Sequence, residues 1–327
     1  MIDRRTLLGA GLGGLGLTLA RPGLLRAQEA WPSKPIRIVV GFAAGGATDI
    51  STRVMQPRLT ALLGQPVLIE NRPGAGGNLA TEIVVRSPAD GATFLMGTIG
   101  ALAINPSLYA SMPFDPQADL TPVAMSGNVL NVLVVPVDRP WKSVADLIAA
   151  AKAAPETITY GSSGIGGAGH LAGALLDQMA GVKTVHVPYR GGGPMMTDLM
   201  SGKVDYAFST APTALPQVQA GRLRLLAVPT AQRIKARPEV PTVAETLPGY
   251  EVQNWYALVG PKGLPPAIVT RMNAAMREAL ADPDVSAALE GQGVEPVPSS
   301  PEELARFIRL ETEKWAPIVR ATGAKVE

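Results

Sequence analysis

Gly41-Phe42-Ala43-Ala44-Gly45-Gly46-Ala47-Thr48-Asp49 joins two segments of different period, and that junction decides the fold class. Before it, Ile36-Arg37-Ile38-Val39-Val40 is a short apolar run that reads as a buried strand. After it, Ile50, Val54, Met55, Leu59, Leu62 and Leu63 recur close to helical spacing. A glycine-rich turn from strand to helix leaves backbone N–H groups unpaired at the positive end of the helix dipole. A carboxylate or phosphate is favoured there. The turn holds no Lys, Arg, His or Cys, so it offers a grip without a reactive group. The same residues suit a plain turn in which Thr48 or Asp49 caps the helix, and the turn alone does not separate the two.

Working outward, short apolar runs alternate with helical patterns. Strand-like runs lie at Val67–Glu70, Thr93–Met96, Val129–Val135, Thr157–Tyr160, Val185–Val187, Val204–Phe208 and Leu223–Val228. Helical patterns occupy Val144–Ala154, His170–Ala180, Met195–Met200, Ile268–Ala281 and Glu302–Ala321. This alternation predicts an α/β protein with mainly parallel, buried strands. Two apolar segments, Val129–Pro136 and Asn254–Pro261, open and close a middle set of elements, as expected of a chain that crosses twice between two lobes. A single continuous sheet fits the periodicity as well.

Three more glycine-rich turns follow strands. Asn71-Arg72-Pro73-Gly74-Ala75-Gly76-Gly77-Asn78 precedes a helix through Ile83 and Val84, and it reads equally as a Pro-Gly turn capped by Asn78. Gly164-Ile165-Gly166-Gly167-Ala168-Gly169 fits the dinucleotide fingerprint. However, Gly161-Ser162-Ser163 separates it from its strand, and Val187-Pro188-Tyr189-Arg190 stands where an acidic residue would meet a ribose. A small-anion cradle of Ser162, Ser163 and adjoining amides fits better. In Tyr189-Arg190-Gly191-Gly192-Gly193-Pro194, Tyr189 is either a donor or an amphipathic core residue. The only histidines are His170 and His186, and neither a G-x-S-x-G nor an H-E-x-x-H motif is present. Trp255 and Tyr256 are candidates to cover a ligand, or to pack at a junction between lobes.

Met1 to about Ala30 reads as an export signal. Arg4-Arg5 precede fifteen uncharged residues, Thr6 to Ala20, which are too few and too glycine-rich to span a membrane. The paired arginines suggest twin-arginine export. Cleavage after Ala27 takes Lys+Arg from 29 to 25 and Asp+Glu from 27 to 26, so the formal charge moves from +2 to −1. No dense basic block remains, which argues against a nucleic-acid partner. With no cysteine, disulfides, thiolate chemistry and cysteine-based metal sites are excluded.

Taken together these pieces resemble the extracytoplasmic solute receptors of tripartite tricarboxylate transporters, the TctC-like or Bug family. The resemblance is carried by Trp31-Pro32-Ser33-Lys34-Pro35-Ile36, Phe42–Asp49, Asn71–Asn78, Gly161-Ser162-Ser163-Gly164 with His170-Leu171-Ala172, and Val187-Pro188-Tyr189-Arg190-Gly191. It covers essentially the whole chain after the signal. Gly41 stands where a proline is usual in that family, and Ser209-Thr210-Ala211 depart from its pattern. The resemblance implies a two-lobed, type II periplasmic-binding-protein fold of the Venus flytrap kind. Lobe one would be 31–129 plus 253–327 and lobe two 130–252, with a hinge of two crossing segments. It further implies a monomeric periplasmic receptor, not an enzyme, with no cofactor or metal, that passes a small organic carboxylate to membrane permease subunits. The candidate ligand residues are Phe42, Ala44, Gly45, Gly46, Thr48 and Asp49; Gly76, Gly77 and Asn78; Ser162, Ser163, Gly164, Gly166 and His170; and Tyr189. A binder serving a membrane signalling kinase, or an exported oxidoreductase or hydrolase, are the competing expectations.

Overall fold

The computed structural model describes residues 31–234 and 237–322. The expected export segment, Met1–Ala30, lies outside the described residues. In chain order the strands are β1 (Ile36–Val40), β2 (Val67–Asn71), β3 (Thr93–Thr98), β4 (Leu120–Val129), β5 (Asn131–Pro136) and β6 (Thr159–Ser162), then β7 (Val185–Pro188), β8 (Tyr206–Thr210), β9 (Leu223–Ala227), β10 (Trp255–Pro261) and β11 (Val294–Pro296). The helices are α1 (Ala47–Leu63), α2 (Asn78–Val85), α3 (Asn105–Leu108), α4 (Pro116–Asp119), α5 (Val144–Ala153) and α6 (Ala168–Ala180), followed by α7 (Gly192–Met200), α8 (Ala211–Gln219), α9 (Pro266–Ala281), α10 (Pro283–Gly291) and α11 (Pro301–Thr322).

Two sheets result. One has the order β11-β4-β10-β3-β1-β2 and the other β7-β6-β8-β5-β9. The α/β architecture expected from the sequence is present, but the mainly parallel strand order is not. β1 is parallel to β2 and β3, and β6 to β7 and β8. β10 runs antiparallel to β3 and β4, β11 to β4, and β5 to β8 and β9. The reason is the double passage between sheets: the chain leaves the first after β4 and returns to it at β10, and the strands at each passage enter against their neighbours. The apolar run Val129–Val135, expected as one strand, is split at Leu130. Its N–H donates to Gly293 O (2.9 Å) and its carbonyl accepts from the Ala211 N–H (2.7 Å).

Alternation along β1 builds both faces of the first sheet. Ile36, Ile38 and Val40 pack with Met55, Leu59 and Leu63 of α1 and with Phe94 and Met96 of β3. Val39 and Leu95 face the opposite way, toward Ala80 and Val84 of α2 and Leu304, Ile308 and Trp315 of α11. Burying each such large side chain contributes roughly 1.5–3 kcal/mol, which fixes α1 on the sheet with its N-terminus at the strand ends. Neighbouring residues of β10 part in the same way. Trp255 is buried against Phe307, and its Nε1 donates to Glu311 Oε2 (3.1 Å), as does the Trp315 Nε1 (3.2 Å). Trp255 is therefore a core anchor and not a cover for a ligand. Tyr256 faces the other way.

Candidate functional site

Three helices begin at one cavity of about 40 Å³. α1 starts after Gly46, α6 after Gly167 and α7 after Gly191, and no side chain caps any of the three. The amides of Ala47, Thr48, Ala168, Gly169 and Gly192 have no acceptor among the described residues, and all five residues line the cavity. α8 starts at the same place behind Thr210 but offers less, because the Ala211 amide is already bonded and Pro212 has none. Three helix dipoles thus present their positive ends to a common point, a field that favours an anion.

The side chains on the wall are polar and neutral. Asn131, 2 % exposed, accepts at Oδ1 from Asn254 Nδ2 (3.2 Å), while its own Nδ2 has no partner among the described residues. Thr98 Oγ1 is likewise buried without a partner among the described residues. The Ser163 hydroxyl also bonds to no described residue. The Tyr256 hydroxyl sits against the Thr48 and Asn254 side chains, and burial pushes the phenol up to about 12, so it stays protonated. A buried donor left unpaired costs about 1–3 kcal/mol. Asn131 Nδ2 and Thr98 Oγ1 share this wall, where one acceptor could satisfy both.

A second cavity, of about 170 Å³, shares Phe42 and Ser163 with the first. Gly76, Gly77, Tyr109, Gly164, Tyr189 and Arg190 are on its wall. Around it the loops of the two sheets touch directly. The Ala43 N–H donates to Arg190 O (3.2 Å). Gly76, at φ +61, faces the Ile165 carbonyl so closely that a methyl group would not fit, and Gly166, at φ +80, lies equally close to the Asn105 side chain. Within the dinucleotide-like stretch, Gly166 is thus explained by close approach between loops and Gly169 by its contact with the Phe208 carbonyl of β8.

The candidate residues divide accordingly. Phe42, Gly46, Thr48 and Ser163 line the first cavity, and Phe42, Gly76, Gly77, Ser163, Gly164 and Tyr189 the second. Ala44 and Gly45 are exposed, and the Gly45 N–H is taken by Asp49 Oδ2 (2.9 Å). Asp49 also accepts from Arg53 Nε (2.9 Å) and Asn71 Nδ2 (3.0 Å), partners that hold its carboxyl below the usual range against the opposing effect of burial. Asn78 is engaged with Asn105 (2.6 Å), and Ser162 with Gly164 and with His186 Nε2 (2.7 Å). The Gly166 N–H donates to His170 Nδ1 (3.2 Å). Tyr189 donates its hydroxyl to Asp198 (3.0 Å), so only its ring faces the cavity. Ala44, Gly45, Asp49, Asn78, Ser162, Gly166 and His170 therefore shape the turns from outside the cavities. Sequence reasoning missed Thr98, Asn131, Ser209, Thr210, Asn254 and Tyr109. For Asn131 a signal existed, a lone amide inside an apolar run, where a polar group needs a partner.

His170 and His186 stack at 4.1 Å behind this turn. Burial lowers His170 to about 4, and burial together with its neighbour lowers His186 to about 3. Ser162 touches His186 but is 1 % exposed, so the pair is out of substrate's reach and holds the loop. Both imidazoles are neutral when folded and take up protons near 6.5 when unfolded. Their contribution is complete above pH 6.5 and is lost as pH falls toward 4. Urea unfolding is expected to lose on the order of 2–4 kcal/mol between pH 6.5 and 5. His186→Gln should flatten that slope; an unchanged slope in the variant contradicts the assignment.

The sequence matches the tripartite tricarboxylate transporter family receptor over residues 51–324. Protein BugT of Bordetella pertussis is 36 % identical over 317 residues, covering 96 % of this chain and 97 % of that protein. Among solved structures, an R. palustris protein with adipate is 38 % identical with a TM-score of 0.88, covering 90 % of this chain and all of the other. MatC from Rhodopseudomonas palustris with bound malate is 30 % identical with a TM-score of 0.85, covering 88 % of this chain and all of the other. The similar folds are two-lobed, and the family is one of solute-binding receptors. The family match and the full-length likeness to these relatives place the chain in the tripartite tricarboxylate transporter receptor family.

Proposed function

We propose that the protein captures a small organic carboxylate in the periplasm and delivers it, as a monomer, to a tripartite tricarboxylate-type permease. In this reading Met1–Ala30 is removed on export, and lobe one (31–129 plus 253–327) closes on lobe two (130–252) about the two crossings. One observation carries the reading: free amides of three helix starts meet the orphan donors of Asn131 and Thr98 at a single cavity with no Lys or Arg on its wall. Charge-assisted hydrogen bonds there are worth roughly 1.5–3 kcal/mol each, enough for several to bind an anion without a cationic side chain. Neutral donors also ease release, since no strong ion pair must break. Adipate and malate, bound by the two similar solved proteins, are dicarboxylates.

A thermal-shift screen of carboxylates on residues 31–327 tests this. A ligand at one hundred times its Kd adds about 2.7 kcal/mol, a shift of several degrees. A dicarboxylate is expected to give that shift, and the matching diol or diamide none. Equal shifts from charged and uncharged analogues, or none from any acid, contradict the reading.

A further inference from the structure

The π-helical turn Gly100–Ile104 comes just after Thr98, on the wall of the first cavity, and runs into Asn105, which is fully buried. This segment lies on the first sheet's side of the cleft, and the Gly164–Gly167 turn of the other side rests on it. A methyl group on Gly100 would lie 3.0 Å from the Gly166 carbonyl, and one on Gly166 would lie 2.2 Å from Asn105 Oδ1. The Asn105 amide is divided between the two sides. Its Nδ2 donates to Asn78 Oδ1 (2.6 Å) and to the Gly76 carbonyl (3.4 Å), both on its own side. Its Oδ1 faces the glycine of the opposite turn and has no partner among the described residues. Elsewhere between the loops of the two sheets the groups are matched, with the Ala43 N–H donating to Arg190 O (3.2 Å). The Asn105 oxygen meets carbon instead.

We infer that Asn105 is a release spring: its Oδ1 is hydrated while the lobes are apart and stripped of water when they close, so it opposes closure and speeds ligand release. This rests on the receptor reading above, with lobe one closing on lobe two, and names a regulation of that site. The two halves of the amide separate energetically. The Nδ2 bonds lie within lobe one, so they are present in the open and closed forms alike and cancel from the difference. The cost at Oδ1 arises only on closing, and a buried acceptor without a donor shifts such an equilibrium on the order of ten-fold. Ligand affinity follows the population of the closed form by the same factor.

Asn105→Ala and Asn105→Asp, made in residues 31–327, test it in opposite directions. Asn105→Ala removes the oxygen together with the Nδ2 bonds. Its urea midpoint is expected to fall while adipate affinity by calorimetry rises about five- to ten-fold, with dissociation in stopped flow slowed to match. An amide with a structural role alone would lose stability and affinity together. Asn105→Asp keeps the shape and makes the stripped oxygen an anion at pH 7.5, so adipate should bind at least about ten-fold more weakly. Small-angle scattering checks the mechanism, because ligand-free Asn105→Ala should be more contracted than ligand-free wild type. Adipate binding unchanged or weakened in Asn105→Ala, an Asn105→Asp variant as tight as wild type, or a wild type that adipate does not contract overturns the inference and leaves the carboxylate receptor standing. A folded wild type that binds neither adipate nor malate overturns the receptor reading and this inference with it.

Discussion

Gly76→Ala is expected to weaken adipate binding by about 100-fold while lowering folding stability by only about 1 kcal/mol. Gly76 sits at φ +61, and a methyl group there would run into the Ile165 carbonyl on the opposing loop. That obstacle is backbone, so it does not swing aside as a long side chain would. On the lobe closure proposed above, an open form would carry only the left-handed strain, whereas the closed form would carry the clash as well. A binder whose competent state is only fractionally populated loses affinity by that fraction. Gly64→Ala supplies the matched control. Gly64 has a similar conformation, φ +68, at the end of α1, and a methyl there meets nothing within 4 Å. It should show the same strain with unchanged adipate affinity. Calorimetry and urea midpoints on the two variants decide it: equal affinities would mean that approach of these loops plays no part in binding.

Asn131→Asp should lower dicarboxylate affinity by about 100-fold at pH 7.5. The replacement keeps shape and retains an oxygen to accept from Asn254. It removes the unpartnered Nδ2 and puts a carboxylate where the ligand's own carboxylate would sit. Two anions that close are not both held ionised, so binding must bring a proton with it. The variant's affinity is therefore expected to recover about ten-fold on going to pH 5.5, with the wild type nearly flat over that range. A variant as tight as wild type, or one with no pH dependence, would remove Asn131 from the site.

How much of this was legible in the sequence follows a physical line. Gly46, Thr48 and Ser163 were legible because a glycine-rich strand-to-helix turn advertises free amides in the local order of residues. Thr98, Asn131 and Asn254 were not, because they sit in or beside strands and only the packing of the two sheets turns them to a shared space. Ser162 and Ser163 illustrate the limit. They are adjacent and chemically alike, yet one is bonded to Gly164 and His186 and the other faces both cavities. The lobe-building alternation of strand and helix was plain. β4 was hidden by Pro122 and Gly127, and α8 by Pro212 and Pro216, residues that weaken strand and helix patterns without preventing either element here. Strand direction was misjudged because alternation alone implies parallel order, and the double passage between sheets is invisible to periodicity.

The central claim is that main-chain amides at three helix starts hold the ligand's carboxylate. Nitrogen-15 amide shifts of residues 31–327 during titration with adipate test it most directly. The account predicts that Ala47, Thr48, Ala168, Gly169 and Gly192 move downfield together, saturating with one affinity, and that hexanediol leaves them still. Those five amides unmoved at saturation, with shifts confined to other surfaces, would contradict it.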